Sequence, residues 1–333
     1  MSLLPATPEG LATAVRHLRA GGVLGLPTET VYGLAADARN SVAVARVFAT
    51  KGRPADHPLI VHLAVGAAVA PWVSDWPAVA ERLAAAFWPG PLTLVVPRSS
   101  GVLPAVTGGQ DTVALRVPAH PIAQAVLAAF GGALVAPSAN RYGRLSPTRA
   151  ADVVQEFGGS VPVVEGGECA VGIESTIVAC LKGEVRVLRP GLITPGALSR
   201  AAGVEVFIGA ANDGPRVPGA VKAHYAPRTP LEVVPSALLA QRLAEVPGAC
   251  VVARAEIGEV AAVPVGTLAP GGRVVLPSTP VEFGQKLYST LRDLDALGAP
   301  RLLVEAPPAG EEWAAVRDRL ARAAAAGELE SSD

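Results

Sequence analysis

Ionisable and hydroxyl side chains cluster at a few short points in this sequence. The stretch KGRPADHPLIVH, residues 51–62, holds Lys51, Arg53, Asp56, His57 and His62, in a chain that is only 17% charged and has 5 histidines in all. Thr28, Glu29 and Thr30 follow the apolar run GVLGL, and Thr112 and Arg116 lie in TVALRVP. APSAN supplies Ser138 and Asn140, LSPT supplies Ser146, GIEST supplies Glu174, Ser175 and Thr176, and LRPG supplies Arg189. Guanidinium forks, an ammonium and hydroxyls match the oxygens of phosphate and carboxylate, so Lys51, Arg53, Arg116 and Arg189 suit an anionic ligand. Each has an ordinary reading by itself. Arg116 could pair with a surface carboxylate, Ser138 and Asn140 could close a turn, and His62 could be a satisfied core histidine. Their shared position at the ends of apolar runs is what points to one site. Other chemistries lack support: there is no GxxxxGK[ST] loop, and GIEST is not a GxSxG elbow. His57 and His62, five apart on an extended segment, do not suit a shared metal.

The elements that must position these groups alternate along the chain. Residues 22–28, 58–63, 92–97, 112–118, 133–140, 175–180 and 184–191 have strand character. Residues 8–20, 41–51, 78–87, 120–130 and 148–157 have helical apolar spacing. The mixture predicts an α/β sheet with helical cover, and the hairpin spacing of STIVACLKGEVRVL predicts that part of it is antiparallel. In such a sheet, ligands bind at strand ends. After Gly203 the pattern breaks, and residues 209–230, rich in Gly, Pro, Asn and Asp, read as a linker. Strands in 231–235, 249–254 and 301–307 then alternate with helices in 236–245, 280–298 and 311–325. That order predicts a small parallel, Rossmann-like sheet without a GxGxxG turn, so nucleotide binding there has no support.

Composition narrows the classes. The chain has 333 residues, enough for two cores. Half of it is hydrophobic, yet no stretch long enough to cross a bilayer lacks charge, Pro or Gly. The start shows no basic region followed by an apolar run, so no signal peptide is expected. Three isolated cysteines, Cys169, Cys180 and Cys250, argue against a disulfide framework or a zinc site and fit a reducing, cytoplasmic setting. A net charge of −1 with no basic tail does not advertise a tightly held nucleic acid. The 35 Gly and 31 Pro fall between apolar runs as turns.

Seven motifs, in order, are GLPTETVYGLAADA, KGRPADHPLIVHL, WPGPLTLVV, TVALRVP, APSAN with SPT, GIESTIV and LRPG. Together they resemble the YrdC/Sua5 family over nearly the whole chain, and VPGAVKAHYAP with the unit after it resembles the longer, two-domain Sua5 form. The resemblance implies a YrdC-like catalytic domain over 1–208 with a twisted mixed sheet, a linker or lid over 209–230, and a Sua5-type α/β domain over 231–333. It implies a nucleotidyltransferase that makes threonylcarbamoyl-AMP and pyrophosphate from L-threonine, bicarbonate and ATP. Mg2+ would be bound through ATP, with no protein-held metal. The product would pass to downstream tRNA threonylcarbamoyl-transfer proteins for the t6A37 modification. By motif match, Lys51, Arg53, His57, Thr112, Ser138, Asn140, Ser146, Arg189 and Tyr225 would bind ATP, with Lys51 and Arg53 as the catalytic cations. Thr30 (with Thr28 beside it), His62, Arg116 and Ser175 would bind L-threonine, Arg116 by a fork onto its carboxylate. His57 stands where Asn is common, and Ala136 where a hydroxyl residue often contacts threonine.

Two rival readings share the fold. One is an RNA-binding module, which would show strongly salt-dependent affinity; weak direct RNA binding is also kept as a partner reading. The other is a carbamoyltransferase that works through carbamoyl-adenylate. Dependence on threonine with bicarbonate, as against carbamoyl phosphate, separates it from the synthase.

Overall fold

Helix ends in this chain are written in its capping residues. Thr7, Asn40, Thr194 and Thr279 each accept a backbone N–H at the start of a helix. Gly52, Gly131, Gly158 and Gly203 end helices in the left-handed conformation. The computed structural model describes residues 3–209, 214–254 and 271–330, with side chains to residue 326. They form two compact units: Met1–Tyr142, Pro147–Ala170 and Glu174–Ala220 in the first, Gly143–Ser146, Val171–Ile173 and Val221–Asp333 in the second.

The strands of the first unit are β1 (Leu3–Leu4), β2 (Leu24–Leu26), β3 (Gly33–Asp37), β4 (Ile60–His62), β5 (Leu92–Pro97), β6 (Thr112–Arg116), β7 (Leu134–Val135), β8 (Val163–Val164), β9 (Thr176–Leu181), β10 (Glu184–Arg189) and β11 (Val206–Ile208). They make one eleven-stranded sheet in the order β1-β8-β2-β3-β7-β4-β6-β5-β9-β10-β11. Pairing is mixed, as expected: β4 and β6 run parallel, β5 and β6 antiparallel, and β9–β10 is the antiparallel hairpin. Its helices are α1 (Pro8–Arg19), α2 (Ser41–Lys51), α3 (Ala78–Phe87), α4 (Pro104–Thr107), α5 (Pro121–Phe130), α6 (Ala150–Phe157) and α7 (Pro195–Ala202). Strands β1, β3, β8 and β11 and helices α4 and α7 lie where the sequence pattern gives no element. The pattern does not stop at Gly203, because β11 adds in parallel to β10. Short strands such as β7 fill only part of their apolar runs, since pairing ends before the apolar side chains do.

The two faces of this sheet are covered unequally. Val61, Leu94, Leu115, Val135 and Val178 pack one face against α2, α3, α4, α6 and α7. On the other face, α1 and α5 cover the β2–β3–β7 end through Leu18, Val126, Leu134 and their neighbours. Beyond them the same face carries a small cluster of Ile60, Val95, Ala114, Ile177 and Ala179, packed by Val217.

In the second unit, β12 (Leu231–Val234), β13 (Cys250–Ala253), β14 (Arg273–Val275) and β15 (Leu302–Glu305) form a parallel sheet ordered β12-β15-β13-β14. The helices there are α8 (Leu239–Glu245), α9 (Pro280–Asp295) and α10 (Ala314–Glu330). The parallel arrangement matches the expectation, and β14 is a strand the pattern missed. The linker reading of 209–230 lies partly outside the described residues, at 210–213.

Candidate active site

Side chains alternate across a strand, so residues two apart share a face. On β4, His62 therefore shares the face of Ile60, and on β6 Arg116 shares that of Ala114. Thr93 shares the face of Val95, and Ser175, just before β9, that of Ile177. Arg189 reaches the same face through an irregularity. Val187 pairs with Val178 but Arg189 pairs with Ile177, so Leu188 is an extra residue in β10. Such a bulge turns the following side chain over, moving Arg189 from the helix-covered face of Val187 to the face of Ile177.

Arg116 is 4% exposed, and all three of its guanidinium nitrogens donate to protein oxygens. Its Nε donates to Gly90 O at 3.3 Å, Nη1 to Thr30 Oγ1 at 2.9 Å, and Nη2 to Glu29 Oε1 at 2.7 Å. Thr28 Oγ1 lies 2.9 Å from Thr30 Oγ1 and donates to Val31 O. Burial would raise the Glu29 carboxyl, but the Arg116 charge and hydrogen bond overcome it and hold Glu29 below its usual value. Glu29 Oε2 is buried without a hydrogen-bond partner among the described residues. His62 stands opposite Arg116 in the β4–β6 register, with Nδ1 3.1 Å from Ile60 O. Burial, then the Arg116 charge, pushes its imidazole down to about 3, so it is neutral at neutral pH.

Next to this group, Ser175 Oγ lies 2.7 Å from Thr93 Oγ1. Arg189 Nη2 donates to Ser175 O at 2.9 Å and to Ser175 Oγ at 3.1 Å, and Nη1 donates to Pro218 O at 3.1 Å. The segment bearing Pro218 is strapped down nearby. Arg216 and Gln110 exchange two hydrogen bonds, and Arg216 Nη2 donates to Asp56 O and Gly108 O.

A second group forms at the end of α2. Gly52 ends the helix, leaving Lys51 in its last turn with Nζ donating to Ser138 O and Asn140 O, both at 2.5 Å. Burial, then the neighbouring Arg53 charge, holds the Lys51 ammonium well below its ordinary value. Arg53 lies 5.8 Å from the Tyr142 ring centroid, and His57 meets the same ring edge-on at 5.4 Å. Burial and Arg53 also lower the His57 imidazole. Thr112 opens β6 on the face of Ala114, opposite Pro97.

Ser146 and Tyr225 belong to the second unit. Ser146 is fully buried, and its carbonyl accepts from Arg292 Nε. Tyr225 is 1% exposed, stacks on Tyr288 at 5.9 Å and lies under Arg319 at 5.1 Å. The ATP and threonine sets from the sequence omit Glu29, noted there only as a strand-end residue beside Thr28 and Thr30, and omit Thr93; the structure binds the two to Arg116 and Ser175. Their signals are faint: one acid between two threonines, and one threonine inside the apolar run LTLVVP.

Residues 16–191 match the Sua5/YciO/YrdC family, described as telomere recombination, and residues 186–325 match the threonylcarbamoyl-AMP synthase C-terminal domain. A protein named threonylcarbamoyl-AMP synthase from Pyrococcus abyssi is 36% identical over 318 residues, covering 93% of this chain and 92% of its own. One of the same name from Bacillus subtilis is 40% identical over 228 residues, covering 67% of this chain and 66% of its own. The crystal structure of P. abyssi Sua5 complexed with L-threonine aligns with a TM-score of 0.87 at 32% identity, over 98% of each chain. With both family matches in place and this likeness running the length of the fold, the chain belongs to the YrdC/Sua5 family, in its longer Sua5 form.

Proposed function

We propose that this protein is an L-threonylcarbamoyladenylate synthase, a nucleotidyltransferase that joins L-threonine, bicarbonate and ATP. The observation that carries the reading is the buried Thr30–Arg116–His62 group on a sheet face that also bears Ser175 and Arg189. Lys51 and Arg53 add buried cations at the end of α2. Arg116 would hold threonine's carboxylate, with Thr30, neutral His62 and Ser175 around the rest of the amino acid. Lys51, Arg53, His57, Ser138, Asn140 and Arg189, with Thr112, would hold ATP.

Threonine's amine attacks the carbon of bicarbonate, water leaves, and N-carboxythreonine forms. An oxygen of the new carboxylate then attacks the α-phosphorus, and the bond to the leaving pyrophosphate breaks. The protein's part is placement and charge neutralisation by Lys51, Arg53 and Arg189. Among the described residues no three His, Cys, Asp or Glu side chains converge on a metal position. The cationic and hydroxylic donors here fit an Mg2+ held by the triphosphate oxygens and water, where it would screen phosphate charge. The strap at Arg216, Val217 and Pro218 supports a lid role for the linker, which would keep water from the labile carbamate. The product would be consumed by proteins that transfer its threonylcarbamoyl group to tRNA. Three free, buried cysteines support a cytoplasmic setting. Among the described residues no helix is long and apolar enough to cross a membrane.

Pyrophosphate release from ATP with Mg2+ and bicarbonate tests the reading. Release should require L-threonine and fall roughly tenfold or more with L-serine, which lacks the methyl group. ATP binding without threonine-dependent release would overturn it, and turnover with carbamoyl phosphate instead would assign the rival transferase.

A further inference from the structure

Strand β12 is an edge of the second unit's sheet, paired only to β15 among the described residues. Leu302 N donates to Pro230 O and Ala306 N to Val234 O, so those carbonyls face β15. By the two-residue alternation Glu232 faces β15 as well, and Leu231 and Val233 present their N–H and C=O groups to the outer edge. That edge opens into a groove of about 700 Å³ walled by α10. Leu320 and Ala321 give the wall an apolar lining. The charge is lopsided: Arg242, Arg301 and Arg317 line the groove with Glu232. Glu232 is already shared, by Arg242 Nε at 2.8 Å and Arg301 Nη1 at 3.2 Å. Arg242 Nη1 also meets Glu245 Oε2 at 2.9 Å, and Arg317 Nη1 donates to Pro308 O and Gly310 O, so the three arginines face two carboxylates.

We propose that this groove docks a short, extended, acidic segment of a partner protein, which adds to β12 as a further strand. The outward amides of Leu231 and Val233 would supply the main-chain pairing. The apolar wall would take alternate side chains, and the arginines would take the acidic ones between them. A four-residue edge between Pro230 and Pro235 is too short to recruit a long sheet edge, but it matches a short segment.

The test uses the full-length protein and a phage-displayed library of random heptapeptides, with selected peptides resynthesised and titrated by fluorescence anisotropy. Selected sequences should alternate acidic with β-branched or aromatic residues. Their affinity should fall roughly tenfold or more for Val233→Pro, because proline at an outward edge position removes a donor without touching the β15 pairing. Arg301→Glu should weaken binding comparably and reduce its salt dependence. N-methylation of alternate peptide amides should give the same loss with the protein unaltered, which keeps the test valid if a variant folds poorly. Binders without acidic residues, binders equally tight on both variants, or no saturable binder would overturn the proposal. So would displacement by inorganic phosphate at concentrations that saturate Val233→Pro equally, which would assign the arginines to a small anion.

Discussion

Arg116 and Glu29 bury opposite charges 2.7 Å apart, with 5% and 10% of their side chains exposed. Removing one partner of such a pair leaves the other buried and uncompensated. Arg116→Ala should therefore cost about 3 kcal/mol of stability and abolish threonine-dependent turnover. The double variant Glu29→Gln/Arg116→Met should recover most of the stability in chemical denaturation but none of the turnover. Recovery of both would remove Arg116 from the site. His62 gives a pH signature. Its imidazole sits near 3 when folded and at about 6.5 when unfolded, so the unfolded chain binds the extra proton between those values. Its contribution is complete above the unfolded value and is lost as pH falls through it, by up to roughly 1.4 kcal/mol per unit. His62→Gln should flatten the decline of Tm between pH 6.5 and about 4. An unchanged decline would show that other groups carry the acid sensitivity.

The β9–β10 hairpin sets the geometry of one side of the site. A Cβ added at Gly191, just past β10, would lie 2.3 Å from Thr176 N and 2.8 Å from Ser175 C. Both contacts are with backbone, so the strand end itself must move. Gly191→Ala should cost about 1–3 kcal/mol in thermal unfolding. It should lower threonine-dependent pyrophosphate release on the order of tenfold to a hundredfold, because the Arg189–Ser175 clamp shifts with the strand. Full activity in this variant would show that the clamp is structural. The alternation that puts His62, Arg116 and Ser175 on one face is legible in the sequence. The bulge at Leu188 is not, since an extra residue in one strand is defined only by its register against the other. Glu29 stands out beside Thr28 and Thr30, but its pairing with Arg116 does not, since it lies in a loop, where no periodicity marks a partner.

At the scale of the whole molecule, two short pieces of the chain before residue 221 are built into the second unit. Gly143 O accepts from Ala226 N, and the carbonyls of Leu145 and Ser146 accept from Arg292. Leu145 and Ile173 are both 3% exposed. A chain truncated after residue 220 should expose them, unfold at lower temperature and bind a hydrophobic dye, as followed by thermal scanning. A fragment as stable as its counterpart in the full chain would contradict this. The sequence by itself determined the α/β class, the helices by their apolar spacing, the gathering of polar groups at strand ends, and the motifs that carry the family likeness. These are local, set by backbone geometry and by residues within a few positions of one another. Only the tertiary structure decided that Glu29 holds Arg116, that Thr93 holds Ser175, that the bulge turns Arg189 onto the site face, and that residues 143–146 and 171–173 join the second unit. Each depends on which distant segments meet, and that is fixed by burial and strand register summed over the whole chain.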